Sequence, residues 1–178
     1  MTRLLDFGRG HWFHHLDSTR RFLWAPHALE DLLGPAVLDL RPGLRIADLG
    51  CGWGYLGHLL LDSVSPGGSI HGYDLSEELI AKARSRAREA EAGRRLRFEL
   101  ADSTRLEEVP DNRYDRAICQ TLLIHLARPA EALAEMRRIV RPGGRVVAIE
   151  PDLLVARASR HDCVDEENPT LAELRSRV

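Results

Sequence analysis

From Leu44 onward, short apolar runs alternate with helical patterns. The runs at 44–49, 69–73, 96–100, 114–119 and 144–149 have the length of buried strands. Each gives way to polar or glycine-rich residues before a helix-like stretch, at 55–64, 77–92 and 130–140. Strands alternating with helices predict βαβ units, a parallel sheet with helices on both faces, and right-handed crossovers.

The ends of these segments carry their own signals. Ser76 can cap the second helix, Glu77 and Glu78 suit the positive end of its dipole, and Gly93 can close it. Arg141-Pro142-Gly143-Gly144 predicts a stop to the third helix and a turn into the fifth strand, since proline cannot extend a helix and glycine permits the reversal. Upstream, His11-Trp12-Phe13-His14-His15 precedes an apolar stretch over 22–40, which reads as one or two helices flanking the sheet. Beyond Asp152 the pattern predicts a single short helix near 170–177 and no strand. The chain thus divides into an N-terminal helical cap or lid (1–43), an α/β core (44–152) and a helical tail (153–178).

Composition narrows the class. With 178 residues, 44% hydrophobic and 29% charged, the chain suits one globular domain. A net charge of −2 argues against a protein whose main task is gripping nucleic acid. Only Lys82 among the 25 basic residues is a lysine, so the arginine excess reads as a general bias rather than a set of anion sites. Cys51, Cys119 and Cys163 are odd in number and widely spaced, which disfavours a disulfide framework or a zinc site and suits a reducing cytoplasm. No N-terminal apolar leader and no run near the ~18 residues of a membrane span are visible, so a soluble, unprocessed protein is expected.

The most informative segment runs from Ile46 through Asp48-Leu49-Gly50-Cys51-Gly52-Trp53-Gly54 to Gly57, a strand entering a glycine-rich turn and then a helix. Glycines there let backbone approach a ligand, and the helix start offers N–H groups. Gly52-x-Gly54-x-x-Gly57 also matches the dinucleotide fingerprint, with Asp74 near the ~20-residue spacing of a ribose-binding acid, so a nicotinamide oxidoreductase must be weighed. A purely structural turn is the bland reading. What separates them is charge. Asp48, two residues before the first glycine, would repel a pyrophosphate but attract an ammonium. Asp74 ends the second strand and suits paired ribose hydroxyls, and Asp102 follows the third and could accept from an exocyclic amine. Three acids at neighbouring strand ends suit a nucleoside that carries a positive charge.

Asp48-Leu49-Gly50-Cys51-Gly52-x-Gly54 closely resembles motif I of the class I S-adenosylmethionine-dependent methyltransferases. Gly72-Tyr73-Asp74-Leu75-Ser76, Ala101-Asp102-Ser103, the region from Tyr114-Asp115 through His125, and Arg141-Pro142-Gly143-Gly144-Arg145 leading to Glu150-Pro151 are similar to its later motifs, in order. The resemblance covers roughly 44–152 and implies a Rossmann-like sheet of order 3-2-1-4-5. It implies S-adenosylmethionine as cofactor, with Gly50, Cys51, Gly52 and Gly54 around the methionine part and Asp48 near its end. Asp74 and Leu75 would then meet the ribose, and Asp102 and Ser103 the adenine. The family fold normally closes with two more strands, which are not expected in this sequence. The run Val146-Val147-Ala148-Ile149 is therefore expected to form an apolar edge that the tail, a second copy or a missing portion covers, with self-association of an isolated monomer as the consequence.

The acceptor side is less patterned. Gln120 and Thr121 end the fourth strand, where Gln120 could contact cofactor or acceptor, or both could simply cap a turn. His125 could act as a general base, or merely pack or cap. Glu150 could orient an amine or hydroxyl acceptor, or anchor the turn before Pro151. His11 and His15 share a helical face but lack a third ligand, so no metal is expected; with Trp12, Phe13, His14 and Trp24 they suit either a lid over an acceptor pocket or a helix packed on the sheet. Arg84, Arg86 and Arg88 share a helix with Glu77, Glu78, Glu89 and Glu91, which favours a solvated mixed-charge face over an RNA handle. The reading is methyl transfer to a small molecule, catalysed with His125 and Glu150. A catalytically silent cofactor-binding or regulatory subunit is the alternative.

Overall fold

Arg45–Leu49 forms the strand β1, and four of its five residues are buried, as expected for a strand covered on both faces. The computed structural model describes residues 34–90 and 92–150. Around β1 lie β2 (Ser69–Asp74), β3 (Leu96–Leu100), β4 (Tyr114–Gln120) and β5 (Val140–Ile149), all parallel, in the order β3-β2-β1-β4-β5. This is the doubly wound sheet that the resemblance implied. Three helices connect the strands: α1 (Tyr55–Leu60), α2 (Glu77–Glu89) and α3 (Pro129–Ile139).

Alternation along the strands divides the core into two layers. Ile46, Ile70, Phe98 and Ile118 pack with Leu56 and Leu60 of α1 and Ile80 and Ala83 of α2. Ala47, Leu49, Tyr73 and Cys119 pack with Met136 and Ile139 of α3. In the second layer the hydroxyls of Tyr73 and Tyr114 meet at 2.5 Å, and His71 Nδ1 lies 2.9 Å from the Tyr114 hydroxyl. Both tyrosines and the histidine are buried. This buried polar chain left no mark on the apolar pattern.

Several element ends differ from expectation. The helix expected over 55–64 stops at Leu60 and a 3-10 turn, Asp62–Val64, follows. The helix expected to reach residue 92 ends at Glu89; Ser76 does cap its start, accepting from Leu79 N at 3.3 Å. Gly93 opens a separate 3-10 turn. The third helix starts at Pro129, whose fixed φ suits the first helical position. Arg141-Pro142-Gly143-Gly144 does not separate α3 from β5. Val140 already pairs with Tyr114, the register then shifts, and Arg145 pairs with Arg116. Asp115 fixes this irregularity by accepting from Arg141 Nε at 2.6 Å and from Arg45 N at 2.8 Å.

The stretch 34–40, the last part of the expected cap, packs against β4 and β5. Leu38 is fully buried, and Arg116, itself 2% exposed, donates to its carbonyl at 2.6 Å and to Asp39 Oδ2 at 3.2 Å. Arg145 donates to the carbonyls of Pro35 and Val37. The proposed lid residues His11, Trp12, Phe13, His14, His15 and Trp24, together with Cys163 and the tail helix, lie outside the described residues. Among the described residues β5 is an edge strand with Val146 exposed, and no helix is long and apolar enough to cross a membrane.

Candidate functional site

All the site residues expected from the sequence follow, or sit near, the carboxyl ends of the five strands, the edge where open α/β sheets bind ligands. At the end of β1 the chain enters the glycine turn. The amides of Gly50 and Cys51 both donate to the Tyr73 carbonyl, at 2.8 and 3.1 Å, and Gly54 N donates to the Cys51 carbonyl at 3.0 Å. Gly52 N donates to Asp74 Oδ2 at 2.8 Å, while Asp74 Oδ1 accepts from Ser76 N at 2.9 Å. Asp74 thus ties the turn to the end of β2, and each of its oxygens keeps a further lone pair for a ligand hydroxyl.

Two glycines have steric reasons to be glycine. Gly54 has φ +81, and a Cβ there would run into the ring of Phe98 on β3. Gly50 has φ +67, and a Cβ there would lie 2.7 Å from Leu122 Cδ1. The turn is therefore wedged between β3 on one side and the segment after β4 on the other. Trp53, 1% exposed, is held edge-on by Tyr55 at 5.3 Å, and the Arg86 guanidinium lies 4.0 Å from its ring centre. Arg84 Nε donates to the Phe98 carbonyl at 2.8 Å. These two arginines do not belong to a merely solvated face; they grip the two aromatic residues that bound Gly54.

Asp48 is 2% exposed and paired in register with Gly72 and Ile118. Leu75 and Leu100 are exposed, at 63% and 52%, and Leu100 pairs in register with Asp74. Asp102 is exposed and its Oδ1 accepts from both the amide and the hydroxyl of Thr104, at 2.8 and 2.7 Å; Ser103 beside it is buried. Gln120 is buried at the end of β4.

The next residues form the other half of the rim. Glu150 Oε1 accepts from Leu122 N and Leu123 N, both at 2.9 Å, so the turn-anchoring role exists. Among the described residues Glu150 Oε2 is buried with no hydrogen-bond partner. His125 ends the 3-10 turn Leu123–His125 and is exposed; burial of its ring lowers its pKa below the usual value, and the nearby Glu150 carboxylate opposes that. The buried thiol of Cys119 is pushed up to about 12, first by burial and then by the carboxylates of Glu150 and Asp48.

The chemistry of the site follows from these contacts. A pyrophosphate needs open amides and a helix dipole behind them. Here the amides of Gly50, Cys51, Gly52 and Gly54 are engaged, α1 has six residues, and the carboxyl of Asp48 lies buried just before the turn. The arrangement suits a ligand with a cationic end and hydroxyls, which S-adenosylmethionine is. Two open grooves, of about 540 and 610 Å³, lie elsewhere, beside Arg84 and Arg97 and beside Arg137 and Arg141, away from these strand ends.

Comparison with known proteins agrees. A family model described as a methyltransferase domain matches residues 40–176. An uncharacterized 37.1 kDa protein in transposon TN4556 of Streptomyces fradiae is 44% identical over 116 residues, covering 65% of this chain and 32% of that one. The ubiquinone/menaquinone biosynthesis C-methyltransferase UbiE of Bordetella avium is 29% identical over 112 residues, covering 63% and 43%. Among solved structures, the 4+2 cyclase SpnF superposes with a TM-score of 0.60 at 30% identity, over 67% of this chain and 43% of that one. The chain spans less than half the length of these relatives.

Proposed function

The chain belongs to the methyltransferase-domain family, whose cofactor is S-adenosylmethionine, and from that premise we propose that it transfers the cofactor's methyl group to a small-molecule acceptor, leaving S-adenosylhomocysteine. The observation that carries the reading is the state of the strand-end turn. Three of its amides are bonded to β2 and so are not open to a phosphate, and the carboxyl of Asp48 is buried just before it. Such a turn favours a cationic, hydroxyl-bearing ligand over a phosphate.

In this reading Gly50, Cys51, Gly52 and Gly54 surround the methionine part, with Asp48 near its ammonium. Asp74 accepts from the ribose hydroxyls while still holding Gly52. Leu75 offers apolar surface at the ribose, and Asp102 and Ser103 serve the adenine. Gln120 stands at the boundary with the acceptor. When bound, the cofactor supplies a methyl group on an activated sulfonium. The chain's own work is to hold the acceptor in line and to exclude water. Glu150 Oε2, the oxygen without a partner, accepts a hydrogen bond from an acceptor hydroxyl or amine. His125, neutral at pH 7 because its pKa is lowered, takes up the acceptor's proton on a ring nitrogen where one must leave.

Residues 44–152 carry the cofactor in this reading. Among the described residues Cys51 and Cys119 are buried and form no disulfide, which fits a cytoplasmic setting. The small-molecule class is supported by the similarity to UbiE, named for quinone biosynthesis. Calorimetric titration with S-adenosylhomocysteine tests the reading, and a folded full-length protein that gives no binding heat would sink it.

The likeness to SpnF, named a cyclase and not a methyltransferase, favours a second reading, a catalytically silent cofactor-binding or regulatory subunit of this fold. Binding of S-adenosylhomocysteine, no label transfer from methyl-labelled cofactor to any member of an acceptor library, and a co-purifying partner would decide for it.

A further inference from the structure

The segment after β4 is bent in a way that its sequence does not favour. Thr121 has φ +53, in the left-handed region, where a β-branched residue is strained. Three hydrogen bonds from the end of β5 hold the bend. Thr121 N donates to the Ile149 carbonyl at 2.8 Å, and the next two amides, of Leu122 and Leu123, both donate to Glu150 Oε1. The bend has a visible consequence at the other side of the site. It seats the Leu122 side chain on Gly50, so closely that a Cβ there would lie 2.7 Å from Leu122 Cδ1 and 3.2 Å from its Cβ and Cγ. Gly50 opens the turn on which the cofactor reading depends.

We propose that Glu150 is a positioning residue of the cofactor site: by holding the Leu122 and Leu123 amides it stabilises the left-handed bend at Thr121 and keeps the Leu122 side chain seated on the Gly50 turn, and cofactor affinity depends on that seat. The inference rests on the S-adenosylmethionine reading and assigns a separate task to each carboxylate oxygen. Oε1 works through the backbone on the cofactor half, while Oε2 is the one left for the acceptor. Strain stored at Thr121 has a sense in this arrangement. A bend that would relax without its clamp couples the end of β5 to the turn after β1, two segments that the sheet order separates by β4.

The test uses the full 178-residue chain, titrated with S-adenosylhomocysteine, with amide hydrogen exchange read at Leu122 and Leu123 in the ligand-free protein. Glu150→Ala is expected to bind roughly tenfold or more weakly and to exchange both amides faster, about the effect of losing hydrogen bonds to a charged group. Glu150→Gln keeps an amide oxygen able to accept both N–H groups. It is expected to retain slow exchange and to bind within about threefold of wild type. Adding Thr121→Gly to Glu150→Ala removes the left-handed penalty and should recover about threefold or more of the lost affinity. Leu122→Ala, which keeps both hydrogen bonds, should lose affinity with its amide still protected.

Two results overturn the inference: a Glu150→Ala protein that binds as tightly as wild type, or a Glu150→Gln protein as weak as Glu150→Ala, which would make the charge rather than the bend decisive. Should Glu150→Ala not fold, the other two variants decide. Tight binding by Glu150→Gln with loss in Leu122→Ala supports the seat; weak binding by the first or undiminished binding by the second refutes it. No binding by wild type overturns the cofactor reading and this inference together, a result distinct from wild-type binding that the Glu150 variants keep.

Discussion

The two halves of the strand-end rim are finished differently. On the side of β1, β2 and β3, the amides of Gly50 and Cys51 go to the Tyr73 carbonyl, those of Gly52 and Ser76 go to Asp74, and Asp102 holds Thr104. On the side of β4 and β5, Thr121 is strained, Glu150 Oε2 is buried without a partner, and His125 is exposed with a lowered pKa. The first half is pre-organised and presents lone pairs in fixed places, which suits a ligand that never changes. The second keeps open valences on a loop, which suits the part of a reaction that varies from one enzyme to the next.

The comparison breaks hardest at Gly54. Gly54→Ala forces a Cβ into the Phe98 ring at φ +81, so overpacking and left-handed strain act together. A loss of about 2–4 kcal/mol in stability is expected, with cofactor binding abolished, by denaturant unfolding and titration. A protein of unchanged midpoint that still binds would mean that the turn is not wedged against β3. Next comes Asp74→Ala, which removes the acceptor of two amides and the proposed ribose contact. It should weaken S-adenosylhomocysteine by about 1–3 kcal/mol. Unchanged affinity would remove Asp74 from the site and leave it a turn anchor only.

How far each half could be read from the sequence follows from the same difference. The glycine turn after β1 was legible because Gly50, Gly52 and Gly54 all take positive φ, which favours glycine, while the roles given to Asp48 and Asp74 came from the family resemblance. A parallel sheet was legible from βαβ alternation, and its order from the family resemblance. The bend at Thr121 was not, since threonine is a poor choice for a left-handed residue and the bend is held by amides that donate to Ile149 and Glu150, far along the chain. The seat of Leu122 on Gly50 joins segments with no shared periodicity. Arg84 and Arg86 read as a solvated face because helical spacing says nothing of Phe98 and Trp53, which they reach by tertiary packing. The start of β5 was misjudged because the Asp115 contacts to Arg45 and Arg141 let the strand absorb a Pro-Gly-Gly segment that usually ends one.

Arg86 offers a smaller way to loosen the first half. Arg86→Ala removes the cation over Trp53, worth about 0.5–1 kcal/mol for a partly exposed pair. Stability should fall by that amount and S-adenosylhomocysteine affinity by a few-fold, while the amides of Leu122 and Leu123 keep their protection. Faster exchange at those two amides would mean that the Trp53 contact as well as Glu150 holds the bend.

The smallest effect concerns protons and belongs to the second half alone. Burial lowers the pKa of His125 below 6.5 and the Glu150 carboxylate holds it up. The neutral base is therefore the main form at pH 7, and its contribution to stability is present above 6.5 and lost as pH falls through that unfolded value, because the unfolded chain then binds the proton more readily. If His125 accepts the acceptor's proton, kcat/KM should be flat above pH 6.5 and decline only below it. Glu150→Gln removes the charge that favours protonation, so the acid limb should move to still lower pH, while His125→Asn should abolish the limb. A limb centred above 6.5, or one that moves upward in Glu150→Gln, would assign the titration to another group and leave His125 a capping residue. The cofactor half predicts no such shift, because S-adenosylhomocysteine affinity measured across the same pH range depends on Asp74 and the glycine turn rather than on His125.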